Sequence, residues 1–274
     1  MRLEPHSTFH TPLPVRTLPR SVGHKGWDDY ADFYDWENAR TFGRRDLAFW
    51  TDIARGARGP VVELGCGTGR LLCPLARVGI PVIGVDRSTR MLARARARAR
   101  RIPRRRRPAL ILGDIRALPV RTGTAAVVLA PYGMLQSLLS GRDLDAGLAE
   151  ACRVLRPGGI LGIDVVPELP AWAEYGPRVR LKGGSRGGRT ITLIESVRQD
   201  RRRGLTIFDE RFVETLRGRS RRLQFALTFR TEPFPALVAR LERAGFQIDA
   251  TYGDYQRGPW HARADTWLIL CRKR

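Results

Sequence analysis

Residues 61–70, VVELGCGTGR, constrain this chain more than any other stretch. An apolar run carries a glutamate, Glu63, and three glycines follow at alternate positions, Gly65, Gly67 and Gly69. A buried strand avoids a carboxylate, because desolvating an unpaired charge is costly. Glycines at that density weaken helix and strand alike, so they mark a turn whose backbone must approach something closely. Pro60 on one side and the glycine turn on the other bound the run as a short, fully buried strand.

The pattern then repeats. GRLLCPLARVG has helical periodicity and stops at Gly79, PVIGVD reads as a second strand, and a helix starts at about Ser88, a natural N-cap. ALILGD, AAVVLAP and ILGIDVV read as further strands, with the helix DLDAGLAEACRVL and an RPGG turn before the last of them. Continuous apolar strands alternating with helices predict an α/β chain with a parallel sheet covered on both faces. Aromatic residues at helical spacing over 27–57 predict one or two leading helices. After about residue 178 the rhythm changes to alternation: RTITLIESVRQD, GLTIFDERFVET and RRLQFALTFRTEP predict an antiparallel layer of three strands within 178–232. A helix, PFPALVARLERAG, and two strands close the chain. The expected organisation is a flexible arm over 1–22 and one domain over 23–274, with 27–57 as a helical cap and 178–232 as an inserted layer.

Composition narrows the function classes. No apolar run in the 274 residues approaches the ~20 needed to span a membrane, and the proline-rich start has no apolar core like that of a secretory signal. Cys66, Cys73, Cys152 and Cys271 form no CxxC pair and have no histidine at metal-ligand spacing, so they read as structural thiols in a reducing, cytoplasmic setting, with no metal site expected. The net charge of +22 comes almost entirely from arginine, lysine occurring only at Lys25, Lys182 and Lys273. Such a field attracts polyanions, and nonspecific nucleic-acid adhesion is expected. ARARARAR followed by RIPRRRRP equally fits the arginine-rich composition of a GC-rich genome.

In an open α/β sheet, ligands bind beyond the carboxyl ends of the strands, where the glycine turn lies. A dinucleotide site wants G-x-G-x-x-G; here the third glycine arrives one residue early. VVELGCGTGR instead resembles the E/D-x-G-x-G-x-G motif of class I S-adenosylmethionine-dependent methyltransferases. VIGVDRSTRML, ILGDIRALPV and VLRPGGILGIDVV resemble that family's second-strand, third-strand and L-x-P-G-G elements, in order over about 60–166. The closing helix–strand–strand is similar to the segment carrying the family's antiparallel seventh strand. The resemblance therefore implies a Rossmann-like, seven-stranded, mostly parallel sheet with S-adenosylmethionine as cofactor.

The same resemblance assigns site residues. The turn of Gly65, Cys66, Gly67 and Gly69 would pack against the methionine part of the cofactor. Asp86 would accept from the ribose hydroxyls, its other reading being a helix N-terminal aspartate. Asp114 and the backbone of Ile115 would serve the adenine, unless Asp114 is only a turn residue. Arg87, Met91 and Ala130 would also border the cofactor. Glu63 either orders the glycine turn or meets the cofactor's amino end. Tyr30 and Tyr34 share a helix face; Tyr34 is assigned as the cover over the cofactor and Tyr30 as packing. Arg44 or Arg45 could reach the cofactor's carboxylate. LAPYGMLQSLL would pass the reacting centre, with Tyr132 and Met134 either walling the pocket or packing in the core. It lacks the N/D-P-P-Y/F tetrad of amino-methylating nucleic-acid enzymes. Asp164, His261 and Tyr132 are the candidate catalytic groups; an amine acceptor could do without a dedicated base.

The favoured reading is a methyltransferase acting on an oxygen or nitrogen of a small-molecule acceptor, as a monomer or homodimer. An RNA or protein methyltransferase is the alternative that the charge supports, and a catalytically silent binding fold is a third.

Overall fold

A computed structural model describes residues 27–167, 174–185 and 187–274. The arm expected over 1–22 lies outside the described residues. Two helices lead, α1 (Trp27–Thr41) and α2 (Leu47–Gly56). An alternating series follows: β1 (Val61–Leu64), α3 (Leu72–Arg77), β2 (Val82–Asp86), α4 (Thr89–Ala99), β3 (Ala109–Leu112), β4 (Ala125–Ala130), α5 (Gly141–Val154) and β5 (Leu155–Val165). Four long strands come next, β6 (Tyr175–Ser185), β7 (Arg189–Asp200), β8 (Leu205–Leu216) and β9 (Arg219–Arg230). Helix α6 (Phe234–Arg243), β10 (Phe246–Tyr252) and β11 (Trp267–Lys273) finish the chain.

The main sheet has the order β10-β11-β5-β4-β1-β2-β3, parallel except for β11, which runs antiparallel to both β5 and β10. Alternation sorts the core onto two faces. Val62, Leu64, Val128 and Ala130 pack with residues of α5 and α6, while Val61, Val127 and Leu129 pack with α2, α3 and α4. Ser88 caps α4 as its sequence position suggests, its hydroxyl accepting from Met91 N–H at 3.0 Å. The RPGG segment is part of β5 rather than a separate turn; Gly158 takes φ +70° where the pairing with β4 slips.

The inserted layer is a separate four-stranded antiparallel sheet, β6-β7-β8-β9, one strand more than the alternation predicts. Its inner face packs on α1: Ile191, Leu193, Phe212, Phe225 and Leu227 form one apolar cluster with Tyr30, Phe33 and Trp36. The opposite side of α1 is tied to α4 by ion pairs. Arg90, Arg94 and Arg98, one helical turn apart, meet Asp29 at 3.3 Å, Asp32 at 2.8 Å and Asp35 at 2.9 Å. Part of the ARARARAR run therefore has a structural task, which the compositional reading did not contain. No helix among the described residues is long and apolar enough to cross a membrane.

Candidate active site

The carboxyl ends of the parallel strands, helix α1, the inner face of the inserted sheet and the loop 253–266 enclose one chamber of about 1610 Å³. That exceeds the ~300–1,000 Å³ of a pocket for one drug-sized ligand.

The glycine turn forms its floor. Gly65, Gly67 and Gly69 all have positive φ (59°, 52° and 74°), a conformation that residues with a Cβ rarely adopt. A Cβ on Gly67 would meet nothing closer than the Gly65 carbonyl at 3.9 Å, because its α-carbon faces the open chamber. A Cβ on Gly65 would lie 1.9 Å from Met134 Sδ, so the post-β4 loop rests directly on the turn. Gly69 and Cys66 lie behind this surface, Gly69 against Cys73 and Cys66 under β2.

Asp86 ends β2 on the chamber wall. One of its oxygens accepts from Gly67 N–H and the other from Ser88 N–H, both at 2.8 Å, so it ties the glycine turn to the start of α4. Each oxygen keeps a second lone pair for a ligand hydroxyl. Burial raises its pKa. Asp114 also faces the chamber, and the hydrogen-bonded Arg116 guanidinium pulls its carboxyl down to about 2. Arg87 approaches Asp114 at 3.4 Å, and Ile115 and Met91 contribute apolar wall. Ala130, at the end of β4, is fully buried and does not reach the chamber surface.

Glu63 lies beneath the turn on the α3 side. It is 3% exposed, its carboxylate accepts from Leu72 N–H, and Oε2 has no partner among the described residues. Burial pushes it up to about 8. The carboxylate is thus tied to the start of α3, and among the described residues one oxygen is left over.

The sequence reading missed Arg70. Its guanidinium forms a two-pronged pair with the fully buried Asp46, both bonds at 2.7 Å, and lies 5.1 and 5.4 Å from the ring centres of Phe42 and Tyr132. It is the knot between glycine turn, cap and post-β4 loop. Burial opposes its charge, but the Asp46 bonds hold the proton on. The conspicuous GTGR arginine was hard to single out in a chain so rich in arginine. Arg45 borders the chamber; Arg44 is exposed and is not in its lining.

Tyr34 is half-buried on the chamber wall, and burial raises its hydroxyl pKa against the pull of Arg70. Tyr30 is packed between Phe212 and Phe225, with its hydroxyl donated to Glu37. Tyr132 stands in the left-handed region at φ 60°, followed by Gly133 at φ 65°. Asp164 holds that unusual turn: one oxygen accepts from Gly133 N–H at 2.7 Å and the other from the Tyr255 hydroxyl at 2.6 Å. Asp164 is 2% exposed, and burial raises its pKa. Tyr132 is 40% exposed and stands on the chamber wall. His261 lies on the rim with its side chain exposed.

Comparison with known proteins agrees with this geometry. A methyltransferase-domain family profile matches residues 61–159. Among curated relatives, the demethylmenaquinone methyltransferase of Beutenbergia cavernae is 37% identical over 119 residues, 42% of this chain and 43% of the relative, so the chain spans less than half of that relative's length. The demethylmenaquinone methyltransferase of Corynebacterium efficiens is 32% identical over 188 residues, 63% of this chain and 76% of the relative. The sugar N-methyltransferase KedS8 from a Streptoalloteichus species shares the fold at 15% identity, TM-score 0.75, covering 97% of this chain and 99% of its own. The chain belongs to the class I S-adenosylmethionine-dependent methyltransferases. S-adenosylmethionine is the cofactor that goes with that membership, and the left-handed glycine turn, the Asp86 carboxylate and the chamber they face fit it.

Proposed function

We propose that this chain methylates an oxygen or nitrogen atom of a small-molecule acceptor held in the chamber. The observation that carries the reading is the chamber itself, large enough for a cofactor and a second compact molecule and roofed by α1 and the inserted sheet. S-adenosylmethionine supplies a methyl group on a sulfonium, ready for in-line displacement. The protein's part is chiefly positioning, which can account for a large share of such a rate enhancement.

Gly65 and Gly67 bring backbone to the methionine part, Asp86 takes the ribose, and Asp114 with Ile115 takes the base. Asp164 acts by positioning: with both oxygens engaged it fixes Tyr132 and Gly133 beside Met134 and holds Tyr255 in the wall. Tyr132 walls the acceptor space. His261, on the rim, is the group free to accept a proton from a hydroxyl acceptor; an amine acceptor can release its proton to solvent. The strongly basic surface supports RNA as the second reading, but the Arg104–Arg106 turn and Arg107 lie exposed just before β3, at the amino end of the parallel strands rather than the carboxyl end that borders the chamber.

The test uses tritiated S-adenosylmethionine with total cellular RNA in one tube and a deproteinised small-metabolite extract in another. Label in a metabolite, and none in RNA, is the expected result. Stoichiometric label at one RNA position with none in metabolites would overturn the reading.

A further inference from the structure

The inserted sheet carries a feature that methyl transfer does not require. Glu195 and Glu210 sit directly opposite each other in the β7–β8 register, both on the buried inner face, 6% and 4% exposed. Like charges at directly paired positions destabilise a sheet. Glu37 approaches from α1, so that carboxylate oxygens of the three lie within 4.8 Å of one another on the chamber wall.

Their neighbours compensate them only in part. Tyr30 donates its hydroxyl to Glu37, and Tyr175 donates to Glu195. Arg180 comes no closer to Glu195 than 3.4 Å. Among the described residues Glu210 Oε2 is buried without any hydrogen-bond partner, as is Thr206 Oγ1 four residues away on the same face of β8. Glu214, the next inward carboxylate along β8, shows what a purely structural glutamate looks like here: Arg189 and Arg221 both pair with it. In a chain with 46 arginines, only Glu195 of the three has an ion pair among the described residues, with Arg180 at 3.4 Å.

We infer that Glu37, Glu195 and Glu210, with Thr206, form a subsite for an ammonium group of the acceptor. The spacing suits it. Charge-assisted N–H···O bonds of ~2.7–2.9 Å in tetrahedral directions place neighbouring acceptors about 4.6 Å apart, which oxygens lying within 4.8 Å of one another can provide; the titration below separates an ammonium from a metal ion. The wall beside it is aromatic, Tyr30 and Phe208, and favours a cation over a neutral polar group. Thr206 Oγ1 adds a neutral acceptor at the edge. The site also explains how a basic protein can take a cationic acceptor, since three carboxylates invert the local potential of a surface at +22.

This inference rests on the small-molecule reading, and its test separates the two. The full chain, saturated with S-adenosylhomocysteine in metal-free buffer, is titrated with cyclohexylammonium chloride and with cyclohexanol, the same ring without the charge. Mn²⁺ alone is titrated separately. The ammonium should bind at least tenfold more tightly than the alcohol. Glu210→Gln and Glu195→Gln should each abolish the discrimination, and Glu214→Gln should leave it. Equal affinities, absent ammonium binding, or discrimination that survives in Glu210→Gln would overturn the inference, as would stoichiometric Mn²⁺ binding lost in that variant. The wild-type ratio alone decides the matter should a variant fail to fold. Cofactor affinity and metabolite labelling are read on the same preparations: if they persist while the discrimination is absent, only the ammonium subsite falls.

Discussion

Replacing Asp46 with asparagine should damage this protein more than any surface change, and the structure says by how much. Asp46 is fully buried, and the Arg70 side chain is 12% exposed. Two charge-assisted bonds of 2.7 Å join them. Asparagine keeps the shape but leaves the guanidinium buried among Phe42, Tyr132 and the glycine turn with half its fork unmet. Breaking a buried pair from one side typically costs about 3–5 kcal/mol, which for a chain of this size lowers the melting temperature by roughly 10 °C. Removing both charges should hurt less. Asp46→Leu combined with Arg70→Met takes away the stranded charge, so the double variant should be more stable than the sum of the single losses predicts, by over ~1 kcal/mol. Urea unfolding followed by circular dichroism measures all four corners of the cycle, with unchanged slopes confirming that the same transition is compared. A loss below ~1 kcal/mol for Asp46→Asn, or strict additivity, would refute the claim that this pair ties cap to cofactor floor.

Two further outcomes follow from the electrostatics. Glu63, held at about 8 by burial, keeps a proton that the unfolded chain loses near pH 4.5, so its contribution to stability is complete below that pH and fades as pH rises to about 8. From pH 5.5 to 8.5 the wild type should therefore lose on the order of 3 kcal/mol relative to Glu63→Gln; unfolding curves that shift in parallel with pH would refute it. The α1–α4 ion pairs are partly exposed and worth only ~0.2–1 kcal/mol each. Reversing Arg90, Arg94 and Arg98 to glutamate should thus expose α1 to limited proteolysis and weaken cofactor affinity while moving the melting temperature little, whereas α1 cleavage unchanged in the variant and in high salt would show that apolar packing alone holds the cap.

The parallel sheet was readable because its signals are local. Each apolar run is bounded by a glycine, proline or capping residue, and the turn at Gly65, Gly67 and Gly69 adopts the conformation that only its composition permits cheaply. Strand β6 was not readable for the same reason in reverse. YGPRVRLKGGS holds Pro177 and glycines at 176, 183 and 184, and none of its residues is buried, which an edge strand tolerates and an alternation test rejects. Asp46 illustrates a different failure. An aspartate just before LAFW looks like a helix cap, yet its side chain caps nothing and reaches Arg70 instead, a partner 24 residues away that local pattern cannot name.

The charges divide along the same line. Arg90, Arg94 and Arg98 fall on one face of α4 whatever bias placed arginine there, and the aspartates of α1 are spaced to meet them. Composition and function need not be rival explanations of the arginines: whatever supplies them, phase on a helix decides which are used. The glutamates of the inserted sheet are legible by the same test of phase. Glu195 occupies the apolar parity of β7 with Ile191, Leu193 and Val197, and Glu210 that of β8 with Phe208 and Phe212. A carboxylate that keeps step with a buried face must answer for its desolvation. For Glu214 the answer is two arginines; for Glu210 Oε2 no hydrogen-bond partner is found among the described residues, and in the proposed subsite the ligand supplies it.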